Sequence, residues 1–102
     1  MEFACCAKND NEEKELEKAH EFLKVLADKN RLKILCILRK GPKCVCEIFP
    51  IVGISQKLAS HHLGQMKKLG LLEEEREGNF IRYGRNEKAI GRYAKILKKI
   101  IN

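Results

Sequence analysis

The chain lacks any apolar run near the ~18 residues that a membrane-spanning helix needs, and no apolar signal region stands at its amino terminus. A soluble, cytoplasmic protein with no membrane partner is therefore expected. Also missing are the C-x-x-C pairs that build zinc ribbons. The five cysteines, Cys5, Cys6, Cys36, Cys44 and Cys46, are odd in number. Without a secretory segment, that argues against a structural disulfide framework and for metal binding or redox chemistry. Internal repeats, linkers and low-complexity tracts are absent. Nowhere do a nucleophile, a base and an orienting group gather, so an enzyme is not expected.

What is present suits one small domain. A chain of 102 residues suffices for one core, and 44% hydrophobic residues set it apart from disordered tails. Lysine and arginine outnumber the acids 21 to 14, for a net charge of +7 and a pI near 9.3. Such a balance favours a polyanionic partner. Charge alone does not separate nucleic acid from an anionic membrane surface, so the shape around it has to decide.

Residues 1–10 show no periodicity and read as a flexible arm carrying Cys5 and Cys6, ahead of a single domain over residues 11–102. From Asn11 to Ala27, Leu16, Ala19, Leu23 and Leu26 recur at the spacing of one helix face. Asp28 can cap a second helix from Lys29 to Arg39, with Leu32, Leu35, Cys36 and Leu38 inward and Gly41 and Pro42 as its stop. Cys36 reads there as a small buried hydrophobe. "CVCEIFPIVGIS" has the apolar content of a short helix, broken by Pro50 and closed by Gly53. Ser55 then caps a helix whose Leu58, His62, Met66 and Leu69 form one face, His62 being a packed core histidine. Beyond Gly70, extended runs Leu71–Arg76 and Phe80–Gly84 flank "EGN", a turn with glycine and asparagine where positive φ is needed. A last helix, Glu87 to Ile101, carries Ile90, Tyr93, Leu97 and Ile100 on one stripe.

Helix, glycine-containing turn, helix and hairpin is the order of a winged helix-turn-helix, mainly α with a small β-hairpin. The second helix of the pair enters the major groove in that fold, which gives the positive charge a use. The first and last helices carry more apolar surface than so small a core covers, so a two-fold homodimer through them is expected.

In this order and at this spacing, "LADKNRLKILCIL", "CVCEI", "SQKLASHHLGQMKKLGLL" and "REGNFIRYGRN" resemble the ArsR/SmtB family of metal-responsive transcriptional repressors, from about Phe22 to Asn86. The resemblance implies a dimeric repressor that occupies double-stranded operator DNA when apo and leaves it when an inducing ion binds. A helix beginning after Ser55 puts Gln56, Lys57, Ser60 and His61 outward and early, where they reach base edges and phosphates; the alternative for each is a solvated helix face. In the wing, Arg76, Arg82 and Arg85 are phosphate-contact candidates, opposed by the acidic run Glu73, Glu74, Glu75 and by Glu77.

Cys44 and Cys46 are the candidate metal ligands. On a regular helix two residues at this separation point roughly 200° apart. At a first turn just after the Gly-Pro break, however, both thiols can face one side, and a helix amino terminus favours the thiolate. Two thiolates are an incomplete site for a soft ion. By resemblance to the cadmium- and lead-sensing branch, Cys5 and Cys6 of the arm complete it from the other subunit. The three-cysteine arsenite site of another branch is missing, since Phe49 stands where its third cysteine would be. Glu47 matches an acidic ligand of zinc-sensing relatives but reads as a bystander here. The family's second sensing site, on the last helix, has no counterpart, because no His, Asp or Cys lies between Glu87 and Asn102. The inducer is thus expected to be a thiophilic ion, Cd(II), Pb(II), Zn(II) or As(III), with no organic cofactor. Two alternatives remain: a dithiol redox or persulfide switch on the same fold, and a basic interaction protein with a structural zinc.

Overall fold

A computed structural model describes residues 10–102, so Cys5 and Cys6 of the expected arm lie outside the described residues. The order is α1 (Asp10–Leu26), α2 (Lys29–Ile37) running into a 3-10 turn (Leu38–Lys40), β1 (Lys43–Cys44), α3 (Val45–Val52), α4 (Gln56–Lys68), β2 (Leu72–Glu77), β3 (Phe80–Arg85) and α5 (Glu87–Ile101). The strands form one antiparallel sheet in the order β1-β3-β2. Among the described residues, no helix is long and apolar enough to cross a membrane.

Helix starts follow side-chain caps, because the first turn of a helix has backbone N–H groups without intrahelical acceptors. Asp28 Oδ1 accepts from the amides of Asn30 at 2.8 Å and Arg31 at 3.2 Å. Ser55 Oγ accepts from Leu58 N at 3.1 Å, and Asn86 Oδ1 accepts from Ala89 N at 3.2 Å. The caps fix where α2, α4 and α5 begin, and burial fixes how they pack. Ile34, Leu38, Ile48, Val52, Leu63, Met66 and Leu72 form the buried core between α2, α3, α4 and the base of the wing. Each such side chain contributes about 1.5–3 kcal/mol by leaving water.

Several faces differ from the sequence reading. On α2, Leu32 and Cys36 are exposed, while Ile34 and Leu38 turn inward. Apolar residues occupy 32 and 34–38, almost all round the helix, so periodicity cannot select a side. On α4, Leu58 is exposed and Ala59 and Leu63 join His62 and Met66 inside. Pro50 does not break α3, which starts at Val45 and runs to Val52. Proline there removes only the amide that would bond the Cys46 carbonyl, and Ile48 and Val52 hold the helix in the core on either side. Gly53 ends α3 with φ 84°, a left-handed cap that glycine adopts without strain. In the hairpin turn only Gly78 has positive φ, at 61°, and Asn79 does not. Positive φ at the first central position alone is the pattern of a type II′ turn.

Strand β1 was not expected from the sequence. Its two residues pair with the wing, Lys43 opposite Tyr83 and Cys44 opposite Arg82. The wing itself runs in register from Leu72 opposite Arg85 to Glu77 opposite Phe80. Its base is pinned where Arg85 Nη1 donates to the Leu35 carbonyl at 3.1 Å and Asn86 N to the Leu71 carbonyl at 2.9 Å. Helices α1 and α5 pack together through a parallel stack of Phe22 on Tyr93, with centroids 5.0 Å apart. The Tyr93 hydroxyl donates to the Leu69 carbonyl at 3.3 Å and so ties this pair to the end of α4.

Candidate thiol site and nucleic-acid surface

Cys44 precedes the first turn of α3 in extended conformation (φ −82°, ψ 161°), and Cys46 is the second helical residue. The angular separation of a regular helix therefore does not apply to them. Their sulfurs meet on one side, joined as a disulfide with the Cα atoms 5.3 Å apart. Cys44 is buried and Cys46 exposed. Glu47 Oε1 accepts from Cys44 N at 3.1 Å, which closes the cap from the other end and engages the carboxylate with backbone. Among the described residues, no group of three or more metal-ligating side chains comes together.

The thiol pair lies between the wing and α4. On the wing side, Cys44, Cys46, Glu47, Glu77, Phe80 and Arg82 line a cleft of about 430 Å³. On the other, Cys44, Val45 and Cys46 share a second concavity, about 310 Å³, with Gln56 and Ser60 of α4 and with wing residues Phe80, Ile81 and Tyr83. Phe80, 60% exposed at the wing tip, belongs to both. Sequence reading passed over it; the signal was a bulky apolar residue directly after a turn, with no core position to fill.

Gln56, Lys57, Ser60 and His61 are all exposed, on the first turns of α4. Arg76 has 76% of its side chain exposed, and Arg82 is half exposed with Nε 3.7 Å from Glu77. The acidic run divides by strand alternation. Glu74 turns back onto α4, where it accepts from Lys67 Nζ at 2.6 Å, and Arg76 Nε lies 3.6 Å from its other oxygen. The hydrogen bond from Lys67 holds the Glu74 carboxyl below its usual range. Arg85 faces inward at the wing base and bonds Glu87 at 3.1 Å, so it is structural and not a free phosphate contact.

His62, on the inner face of the same helix, is 5% exposed. Arg31 Nε donates to its Nδ1 at 2.9 Å, which fixes the neutral ring with its proton on Nε2. Nε2 lies 3.9 Å from Asp28 Oδ1, the oxygen that caps α2. Burial pushes the His62 imidazole below its ordinary value, against the pull of the Asp28 carboxylate. The start of α2 and the middle of α4 are thus fastened by one polar cluster, Asp28–Arg31–His62.

The pattern of the bacterial regulatory proteins of the arsR family matches residues 28–74, from the cap of α2 into the wing. The HTH-type transcriptional regulator YgaV of Escherichia coli is 32% identical over 85 residues, 82% of this chain and 86% of that protein. The chain belongs to the arsR family. Its home is thereby a family of transcriptional regulators and not of enzymes. The cadmium resistance transcriptional regulatory protein CadC of Listeria innocua is 40% identical over 63 residues, 61% of this chain and 53% of the relative, so the match spans about half of that protein. In three dimensions, the homodimeric winged helix-turn-helix DNA-binding domain of a possible ArsR-family regulator from Mycobacterium bovis superimposes with a TM-score of 0.73 and 29% identity, over 93% of this chain and 87% of that domain. The winged helix-turn-helix architecture is therefore that of ArsR-family domains.

Proposed function

We propose that this ArsR-family regulator is a repressor that binds operator DNA as a homodimer and leaves it when a thiophilic ion engages Cys44 and Cys46, with Cys5 and Cys6 of the arm supplying further donors. The observation that carries the reading is the placement of Cys44 and Cys46 side by side at the start of α3, between the wing and α4, where reduction of the bond joining them leaves two adjacent thiolates. Gln56, Lys57, Ser60 and His61 enter the major groove, and Arg76 and Arg82 reach the flanking phosphates. Exposed Leu23, Ile100 and Ile101 on α1 and α5 supply the face that a second copy covers, in keeping with the homodimeric M. bovis domain.

Two sulfurs fit a soft ion as half of its donor set, since such ions take three or four donors. Glu47 is engaged by the Cys44 amide, so the remaining donors come from the arm. A relative named for cadmium resistance supports Cd(II) as the first ion to test, with Pb(II), Zn(II) and As(III) beside it. Operator affinity then falls by the coupling free energy between the two sites, ~1–3 kcal/mol or roughly 5- to 150-fold. Titration of the reduced protein with Cd(II), followed by thiolate-to-metal absorption, tests the site. Saturation at a fixed stoichiometry is expected, with loss of intensity in the Cys5→Ser, Cys6→Ser double variant; no absorption in wild type would sink the reading.

A second reading has its own observation, the Cys44–Cys46 disulfide. Oxidation of the dithiol would then release DNA where Cd(II) does not.

A further inference from the structure

We infer that the wing, moved through strand β1, is the element by which the state of Cys44 and Cys46 reaches DNA. The inference rests on the thiol site proposed above and adds its route to the operator. Cys44 is at once a thiol residue and the last residue of β1, and its partner across the strand is Arg82. Arg82 in turn faces Glu75 on β2, so Cys44, Arg82 and Glu75 make one row across all three strands, on one face of the sheet. Any shift of Cys44 is therefore passed along backbone ladders to a candidate phosphate contact one strand away.

The packing around this row gives the wing a fixed end and a movable end. At the base, the Arg85–Leu35 and Asn86–Leu71 bonds hold it to the body of the domain. Toward the tip, the cleft between the thiols and Glu77, Phe80 and Arg82 separates the hairpin from α3. The seam between β1 and the wing is close-packed. A Cβ on Gly84 would stand 3.3 Å from Cγ of Pro42, the residue before β1, tight enough that the ring would have to give by a few tenths of an ångström. Opening the bonded Cys44–Cys46 pair so that both sulfurs straddle an ion acts on the edge of β1, and the free end of the hairpin swings with it. The route lies within one protomer and does not require α1 and α5 to slide on a second copy.

The test uses the full reduced chain with Cd(II) alone as ligand. Hydrogen–deuterium exchange is measured in the absence of DNA for peptides covering β2 and β3 and for peptides covering α5, while absorption reports thiolate occupancy. Altered exchange in the wing at saturating Cd(II), with α5 unchanged, is the expected result. In Gly84→Ala the added methyl presses on Pro42 next to β1; the Cd(II)-dependent change in operator affinity should shrink by about 2- to 30-fold relative to wild type, with the absorption stoichiometry kept. If Gly84→Ala does not fold, the wild-type exchange still decides. Saturated absorption with exchange changed only in α1 and α5 overturns the wing route and leaves the thiol site standing. Absence of absorption overturns both.

Discussion

The α2–α3–α4 core and the α1–α5 pair are built to different standards of closure. In the first, Ile34, Ile48, Leu63 and Met66 are fully buried within a single chain. In the second, only Ala19, Phe22 and Ala89 are buried among the described residues, and Leu23, Ile100 and Ile101 remain exposed, Ile101 by 73%. The same length of chain and a comparable apolar content thus give a finished core in one half and an unfinished one in the other. The contrast fits the proposed division of work between the two halves: holding α4 in place within a protomer, and offering a face to a second copy.

The sharpest way to separate the halves is to cut each. Leu63→Ala empties a fully buried site and is expected to cost about 2–5 kcal/mol in chemical denaturation, whereas Leu23→Ala should cost under about 1 kcal/mol for the monomer. Equal losses would dissolve the distinction. Placing Asp at both Ile100 and Ile101 should weaken self-association about tenfold or more in sedimentation equilibrium, because a buried unpaired charge is costly, while the monomer core keeps its near-ultraviolet signal.

Within the core, the Asp28–Arg31–His62 cluster offers a finer probe. Asp28→Ala removes the acceptor for two α2 amides and is expected to lower Tm measurably, more than any surface charge change on α1. The His62 imidazole is held below its ordinary value of 6.5 by burial, so the unfolded chain binds the extra proton first. Stability is therefore complete above pH 6.5 and declines as pH falls below it. Asp28 adds to the decline at still lower pH, since its carboxyl is also held down, first by the Arg31 amide. A His62→Gln variant should show a flatter Tm against pH below 6.5 than wild type. The smallest effect is expected for Lys67→Ala, which breaks a solvent-facing pair with Glu74 and should leave Tm nearly unchanged.

The sequence made the order of helices and hairpin legible because each boundary has a chemical signal: Asp28, Ser55, Gly53, Gly70 and Gly78. It did not reveal β1, since a strand of two residues has no periodicity to detect and exists only because the wing supplies a partner. The face of α2 was illegible because its apolar residues nearly encircle it. On α4, Ala59 carries too little hydrophobic signal to compete with Leu58, although Ala59 is the one that is buried. Of the candidate site, the types and exposure of Gln56, Lys57, Ser60 and His61 were readable from a single cap. The neighbourhood of Cys44 and Cys46, with Phe80 and Arg82 across a cleft, depends on the fold returning the wing to α3 and could not be read locally.

The most direct measurement is operator affinity by fluorescence anisotropy, for the reduced wild type and for Cys46→Ser, each with and without saturating Cd(II). Roughly 5- to 150-fold weakening in wild type and none in Cys46→Ser is the expected result. Equal release in both proteins, or a wild type that binds Cd(II) through its thiols yet keeps its operator, would contradict the proposed sensor.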